Sequence, residues 1–211
     1  MNISELKDAF SYVSDIMTEN KDYLIKLDQQ NGDGDLGVSM ANGFKAVCEY
    51  LSTSEETDLG GILMKSSMVF NETAPSSLGT IISFAFMGMA QSLKGNEEAT
   101  LLQVASAMQN GINKIMEKAG SKPGEKTVLD SLCPGVDALY KNAELDALSA
   151  LKAAADASKE GAESTRQMRS VHGRAAYYGD KSIGLIDGGA VVGNLIFEAL
   201  YKCAAAKHSN K

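Results

Sequence analysis

The chain has 211 residues, with 20 Lys and Arg against 27 Asp and Glu, for a formal net charge of −7. That balance excludes a chain-wide nucleic-acid footprint, which needs a basic face, while 44% hydrophobic and 22% charged residues are too apolar for disorder. With no Trp and 6% aromatic residues, the core must come from Leu, Ile, Met and Ala, with ten Met as adaptable filler.

Helical spacing dominates from the N-terminus onward. Ser4 is placed to cap a helix whose apolar positions Leu6, Phe10, Val13 and Met17 form one stripe. A second helical piece, residues 20–27, ends in the loop 28–35, and a third helix runs through Met40, Phe44, Val47 and Leu51. Residues 61–70 read as helix, followed by a break over 71–77. An uncharged helix then runs from Leu78 toward Leu93. Thr100 and Gln103 fit a capping box before the next stripe, Leu101, Val104, Met108, Ile112, Ile115 and Met116. After a turn-rich break at 119–124, further helices are expected at about 128–140, 144–159 and 189–206. No run of strand alternation, fixed-period repeat or low-complexity linker interrupts this pattern. The expectation is a single all-α domain over residues 1–211, with about eight amphipathic helices.

Cys48, Cys133 and Cys203 form no CxxC pair, which argues against a disulfide framework or a zinc knuckle and for a reduced, cytoplasmic setting. The N-terminus is too charged for a secretory signal. Residues 73–93 carry no charge and are long enough to span a bilayer. Pro75, Gln91 and several Ser and Thr dilute the stretch, so it reads as a buried helix and no membrane partner is expected.

Four segments carry chemistry. Asp28, Asp33 and Asp35 surround Gly32 and Gly34, which let the backbone curl so that carboxylates converge, as a hard cation requires. A calcium loop fails in detail, because Leu36 stands where Gly is needed and Asn42 where a bidentate Glu belongs. Mg²⁺ completed by substrate phosphates suits the residues better, with a solvated acidic turn as the other reading. Pro75–Thr80 opens a helix whose free N–H groups, with Ser76, Ser77 and Gly79, suit an anion or a plain helix cap. All three arginines of the chain, Arg166, Arg169 and Arg174, fall within nine residues, a concentration that suits phosphate or a surface ion-pair cluster. His172, in the same run, reads as structural or solvated. Asp187, Gly188 and Gly189 can cap the last helix and bring its backbone close to a flat ligand.

In combination these segments resemble the L subunit of dihydroxyacetone kinase, the nucleotide-binding part of that family. The likeness covers nearly the whole chain in order: residues 27–44, Lys94-Gly95, 123–132 (Pro-Gly-Glu-Lys-Thr-Val-Leu-Asp-Ser-Leu), 161–168 and 173–184. It implies a closed barrel of eight antiparallel helices with ADP or ATP at one end. It also implies two Mg²⁺ ions held by Asp28, Asp33 and Asp35. Phosphate contacts would come from the backbone of Leu36, Gly37, Val38 and Ser39 and from Ser76, Ser77 and Gly79. Gly120, Arg174, Asp187, Gly188 and Gly189 would line the nucleotide, and Val128 would lie against adenine. The family implies a separate sugar-binding K subunit as partner, and an M-type phosphocarrier fed from phosphoenolpyruvate or free ATP as donor. Three departures stand out: Leu36 in place of the family's His, Pro75-Ser-Ser-Leu-Gly79 in place of its Gly-rich phosphate loop, and Asp187-Gly-Gly in place of Asp-Pro-Gly. They leave open a non-catalytic nucleotide sensor on the same barrel.

Overall fold

The computed structural model describes residues 1–209. Among these residues there are nine α-helices: α1 (Ile3–Glu19), α2 (Lys21–Asp28), α3 (Leu36–Thr53), α4 (Leu59–Thr73), α5 (Ser77–Leu93), α6 (Leu101–Ala119), α7 (Leu129–Lys141), α8 (Ala147–Ser164) and α9 (Gly188–Ser209). Two 3₁₀ segments, Thr165–Gln167 and Arg174–Ser182, lie in the long connection before α9. Extended pairing among the described residues is limited to one isolated bridge, Asn2 with Glu98.

Helix α1 packs on α3, each helix from α3 to α8 packs on the next, α8 packs on α9, and α9 returns to α1. Eight antiparallel helices thus close into an all-α barrel, with short α2 laid against α3 and α9. Leu6, Phe10, Val13 and Met17 are all buried, as their spacing requires. Phe10, Phe44, Phe70 and Phe86 meet edge to face at centroid distances of 4.9–6.3 Å and tie α1, α3, α4 and α5 together. A second apolar cluster joins α6, α7 and α8 to Phe197 of α9. The uncharged stretch is α5, packed between α4 and α6. Helix α9 is long and apolar enough to cross a membrane by length and composition alone, yet it packs between α1, α7 and α8.

Caps define the ends. The Thr100–Gln103 box forms as expected. Ser4, however, is not the cap of α1: Asn2 accepts from the Glu5 N–H and Glu5 reaches back to the Asn2 N–H, a box that starts two residues earlier. The break expected at residue 71 begins only after Thr73, because Thr73 bonds back to the Val69 carbonyl and stays in helix.

Up-and-down order sorts the connections to two ends. At one end Met1, Asp58 and residues 95–99 meet: the Met1 amine donates to the Ala99 carbonyl, and Asp58 accepts from the Gly95 N–H at 2.9 Å. The alternation of helices puts segments 28–35, 74–76, 120–128 and 165–187 at the opposite end.

Candidate functional site

Asp28 closes α2 and organises the loop that follows. Its carbonyl accepts from the Gly32 N–H at 2.6 Å and its carboxylate from the Gly34 N–H at 2.7 Å. Glycine is required twice: Gly34 has φ +81°, and a Cβ on Gly32 would stand 2.1 Å from Asp28 Oδ1. The curl brings Asp35 to the N-cap position of α3, where its side chain makes no cap hydrogen bond. Asp28, Asp33 and Asp35 then offer carboxylate oxygens that all lie within 4.8 Å of one another. Partial burial, and then the negative charges of Asp33 and Asp28, push the Asp35 carboxyl above its ordinary value. Crowded, half-exposed oxygen donors of this kind fit a hard divalent cation such as Mg²⁺, which keeps part of its coordination for water or phosphate.

Arg174 is the one arginine that reaches this cluster, its Nη2 standing 2.7 Å from Asp33 Oδ2. The other two serve the connection itself. Arg166 pairs with Glu163 at 2.8 Å and donates to the Gly184 carbonyl, and Arg169 lies 3.5 Å from Asp180. The phosphate reading of the whole arginine run therefore narrows to Arg174. His172 pairs with Glu125 at 2.5 Å and not with Asp28, Asp33 or Asp35.

Leu36, Gly37 and Ser39 are buried in the first turn of α3 and Val38 is exposed. The N–H groups of Leu36, Gly37 and Val38 are the ones this helix start leaves for a ligand, because the Ser39 N–H already donates to the Asp35 carbonyl at 2.9 Å. Gly188 stands against Leu36: a Cβ there would meet Leu36 Cδ2 at 2.6 Å. Asp187 caps α9 as expected, accepting from the Ala190 N–H at 2.7 Å, and its own N–H donates to Thr165 at 2.9 Å. Burial pushes the Asp187 carboxyl up to about 6, with the nearby Asp130 charge adding to the rise. Gly189 faces the backbone of Val128, whose side chain is only 3% exposed and offers an adenine no more than an edge. Ser76 caps α5 by accepting from the Gly79 N–H at 3.1 Å, and Gly120 ends α6 in a left-handed turn. Both lie at the same end of the barrel, but no hydrogen bond or ion pair among the described residues joins them, or Ser77, to the carboxylates.

Sequence reasoning missed Lys126 and Asp130. Asp130 accepts from the Gly124 and Thr127 N–H groups at 2.5 and 2.7 Å, and the buried Lys126 ammonium donates to three carbonyls. Their place in a Glu-Lys-Thr-Val-Leu-Asp box was visible, but composition marks both as surface residues.

Residues 30–202 match the DAK2 domain. The ADP-binding subunit DhaL of a PEP-dependent dihydroxyacetone kinase from Escherichia coli K12 is 32% identical over 178 residues, 83% of this chain and 85% of that protein. The corresponding subunit of a PTS-dependent kinase from Lactococcus lactis is 28% identical over 187 residues, 89% of this chain and 90% of that one. Among solved structures, the dihydroxyacetone kinase of C. freundii in complex with AMP-PNP and Mg²⁺ superposes with a TM-score of 0.73 over 93% of this chain at 23% identity. That likeness speaks for the barrel, and the chain spans 33% of the C. freundii protein.

Proposed function

This chain belongs to the DAK2 domain family as an L subunit of the dihydroxyacetone kinase type, and from that membership we propose that it is the nucleotide-binding, phosphoryl-transferring subunit of a multi-subunit ketose kinase. The observation that carries the reading is the carboxylate cluster with Arg174 set against it. ADP or ATP would lie across the open end of the barrel. Its phosphates would meet the first-turn N–H groups of Leu36, Gly37 and Val38, where the positive end of α3 favours an anion. Asp28, Asp33 and Asp35 would hold two Mg²⁺ ions, which when bound neutralise and align the phosphates. Arg174 is 70% exposed, free to leave Asp33 for a phosphate oxygen and offer two parallel N–H bonds. Asp187, Gly188, Gly189 and the edge of Val128 would take the nucleoside, with Ser76, Ser77, Gly79 and Gly120 on the rim. In the transfer an acceptor hydroxyl oxygen forms the new bond to phosphorus as the bridging bond to ADP breaks, and no protein nucleophile is required.

The similar subunits are named for PEP-dependent and PTS-dependent kinases. Those names support further subunits and a phosphoenolpyruvate-fed donor; we take the partners to be a sugar-binding K subunit and an M-type phosphocarrier that recharges bound ADP, and the setting to be the cytoplasm. The test is metal–nucleotide coupling. Without cation, three carboxylates repel a polyphosphate; with Mg²⁺ they become ligands and their contribution changes sign. At 100-fold excess over Kd, ADP with Mg²⁺ should add about 2.7 kcal/mol, roughly 5–10 °C in Tm for a chain of this size. ADP with EDTA should add little. Asp33→Asn should lose the Mg²⁺-dependent shift and keep the unliganded melt. Equal shifts in wild type and Asp33→Asn would refute the assignment.

A further inference from the structure

Residues 165–187 form a strap across the site end of the barrel. It carries Arg174 to Asp33, yet most of it is exposed, including Val171, His172, Arg174, Tyr177, Tyr178 and Ile183. A segment with so little burial needs another source of order.

Pairs such as His172 with Glu125 and Arg166 with Gly184 tie parts of it, and one buried side chain gathers both of its ends. Lys126 is 3% exposed, and its ammonium donates to the carbonyls of Met168 at 3.2 Å, Ser182 at 2.5 Å and Leu185 at 2.6 Å. Three donors meet three acceptors, from both ends of the strap. An ammonium taken out of water requires this compensation. Burial lowers the Lys126 pKa, and the Asp187 charge opposes that shift. The backbone is held to suit: Lys126 has φ +61°, the one positive φ outside glycine among the described residues, and the Asp130 carboxylate fixes the turn on either side of it. Around the ammonium, Ser182 accepts from the Ser170 N–H and donates to Gly179, closing the strap on itself.

We propose that Lys126 is a positioning residue: its ammonium, gathering the carbonyls of Met168, Ser182 and Leu185, locks the strap and so sets Arg174 over the carboxylate cluster. The proposal rests on the nucleotide-and-metal reading only for its binding consequence; the locking of the strap stands apart from it. Lys126→Met keeps the stem and removes the charge and all three hydrogen bonds. Lys126→Gln keeps two donors on a shorter stem.

Two measurements test it. In hydrogen–deuterium exchange of the unliganded chain, peptides over residues 168–185 should exchange at least tenfold faster in Lys126→Met, while peptides of α3–α6 stay at the wild-type rate. In calorimetric titration with ADP and Mg²⁺, Lys126→Met should bind about tenfold more weakly. Arg174→Ala should bind weakly too, and the double variant no more than twofold worse than Arg174→Ala alone. Additive losses would mean that Lys126 does not act through Arg174, and an unchanged strap would mean that it is no lock; either result overturns the proposal. Global unfolding of both Lys126→Met and Lys126→Gln would also overturn it, since it would make Lys126 a support of the whole barrel. Should wild type fail to bind ADP with Mg²⁺, the nucleotide reading fails, and the exchange experiment still decides the lock.

Discussion

Charges at this end of the barrel are distributed unevenly between water and protein, and the consequence differs residue by residue. Arg174 and Asp33 pair in the open, with 70% and 41% of their side chains exposed, so the pair adds little to stability and matters for where it puts a guanidinium. Asp187 is the opposite case. It is held inside by the start of α9, and burial raises its carboxyl to about 6. A folded pKa above the unfolded value means that the native state binds the proton more tightly. The stabilisation is complete below the unfolded value near 3.8 and is lost as pH rises through about 6. Its size is at most about 3 kcal/mol. Asp187→Asn keeps a side-chain oxygen for the Ala190 N–H and has no proton to lose. Denaturant melts at pH 4, 5, 6 and 7 should show wild type losing ground to Asp187→Asn across that window. A difference that stays flat with pH would show that Asp187 is well solvated.

Between elements, close approach takes over from charge. Pro134 inside α7 has no N–H to give the Asp130 carbonyl. That carbonyl faces Gly161 of α8, where a Cβ would stand 2.1 Å from the oxygen and 2.7 Å from the Pro134 ring. The two helices therefore touch backbone to backbone directly behind the Asp130 carboxylate that fixes the Lys126 turn. Gly161→Ala must push α7 from α8, at a cost of about 1–3 kcal/mol, or roughly 3–10 °C in Tm for this size; an unchanged melt would mean that α8 slides freely. Such contacts explain what was legible in the sequence. The stripe of α1, the box at Thr100 and the cap at Asp187 are local patterns, and each appears where spacing puts it. Helix boundaries were read less well. Asn2 wins over Ser4 because Glu5 sits three residues after Asn2 and can close a box with it. The start of the break slips to residue 74 because Thr73 bonds within its own helix. The Gly161–Asp130 contact, which joins distant parts of the chain, leaves no local signature.

For the whole molecule, up-and-down closure explains why dispersed segments gather at one end of the barrel: every second connection between the barrel helices returns there. The Asp28–Asp35 cluster was legible because glycine spacing and carboxylates are local. The choice of Arg174 from three arginines, and the buried Lys126, were not, because both depend on how the strap crosses the barrel end. The same architecture bears on activity. Asp33, Asp35 and Arg174 all face solvent, and a transferable phosphoryl group placed there stands beside water at far higher concentration than any ketose. Phosphoryl transfer to an alcohol needs that water excluded and the acceptor hydroxyl held in line. A surface this open acquires both only when a second protein covers it. The isolated chain with ATP and Mg²⁺ should therefore phosphorylate free dihydroxyacetone at no more than the background rate, while still showing the Mg²⁺-dependent ADP shift in melting. Addition of a sugar-binding K subunit together with the phosphoenolpyruvate-fed phosphocarrier should bring turnover, and Asp33→Asn should abolish it. Robust turnover by the purified chain alone would refute the split-kinase reading. Nucleotide binding with no turnover in the presence of a competent K subunit and phosphocarrier would instead favour a sensor built on the same barrel.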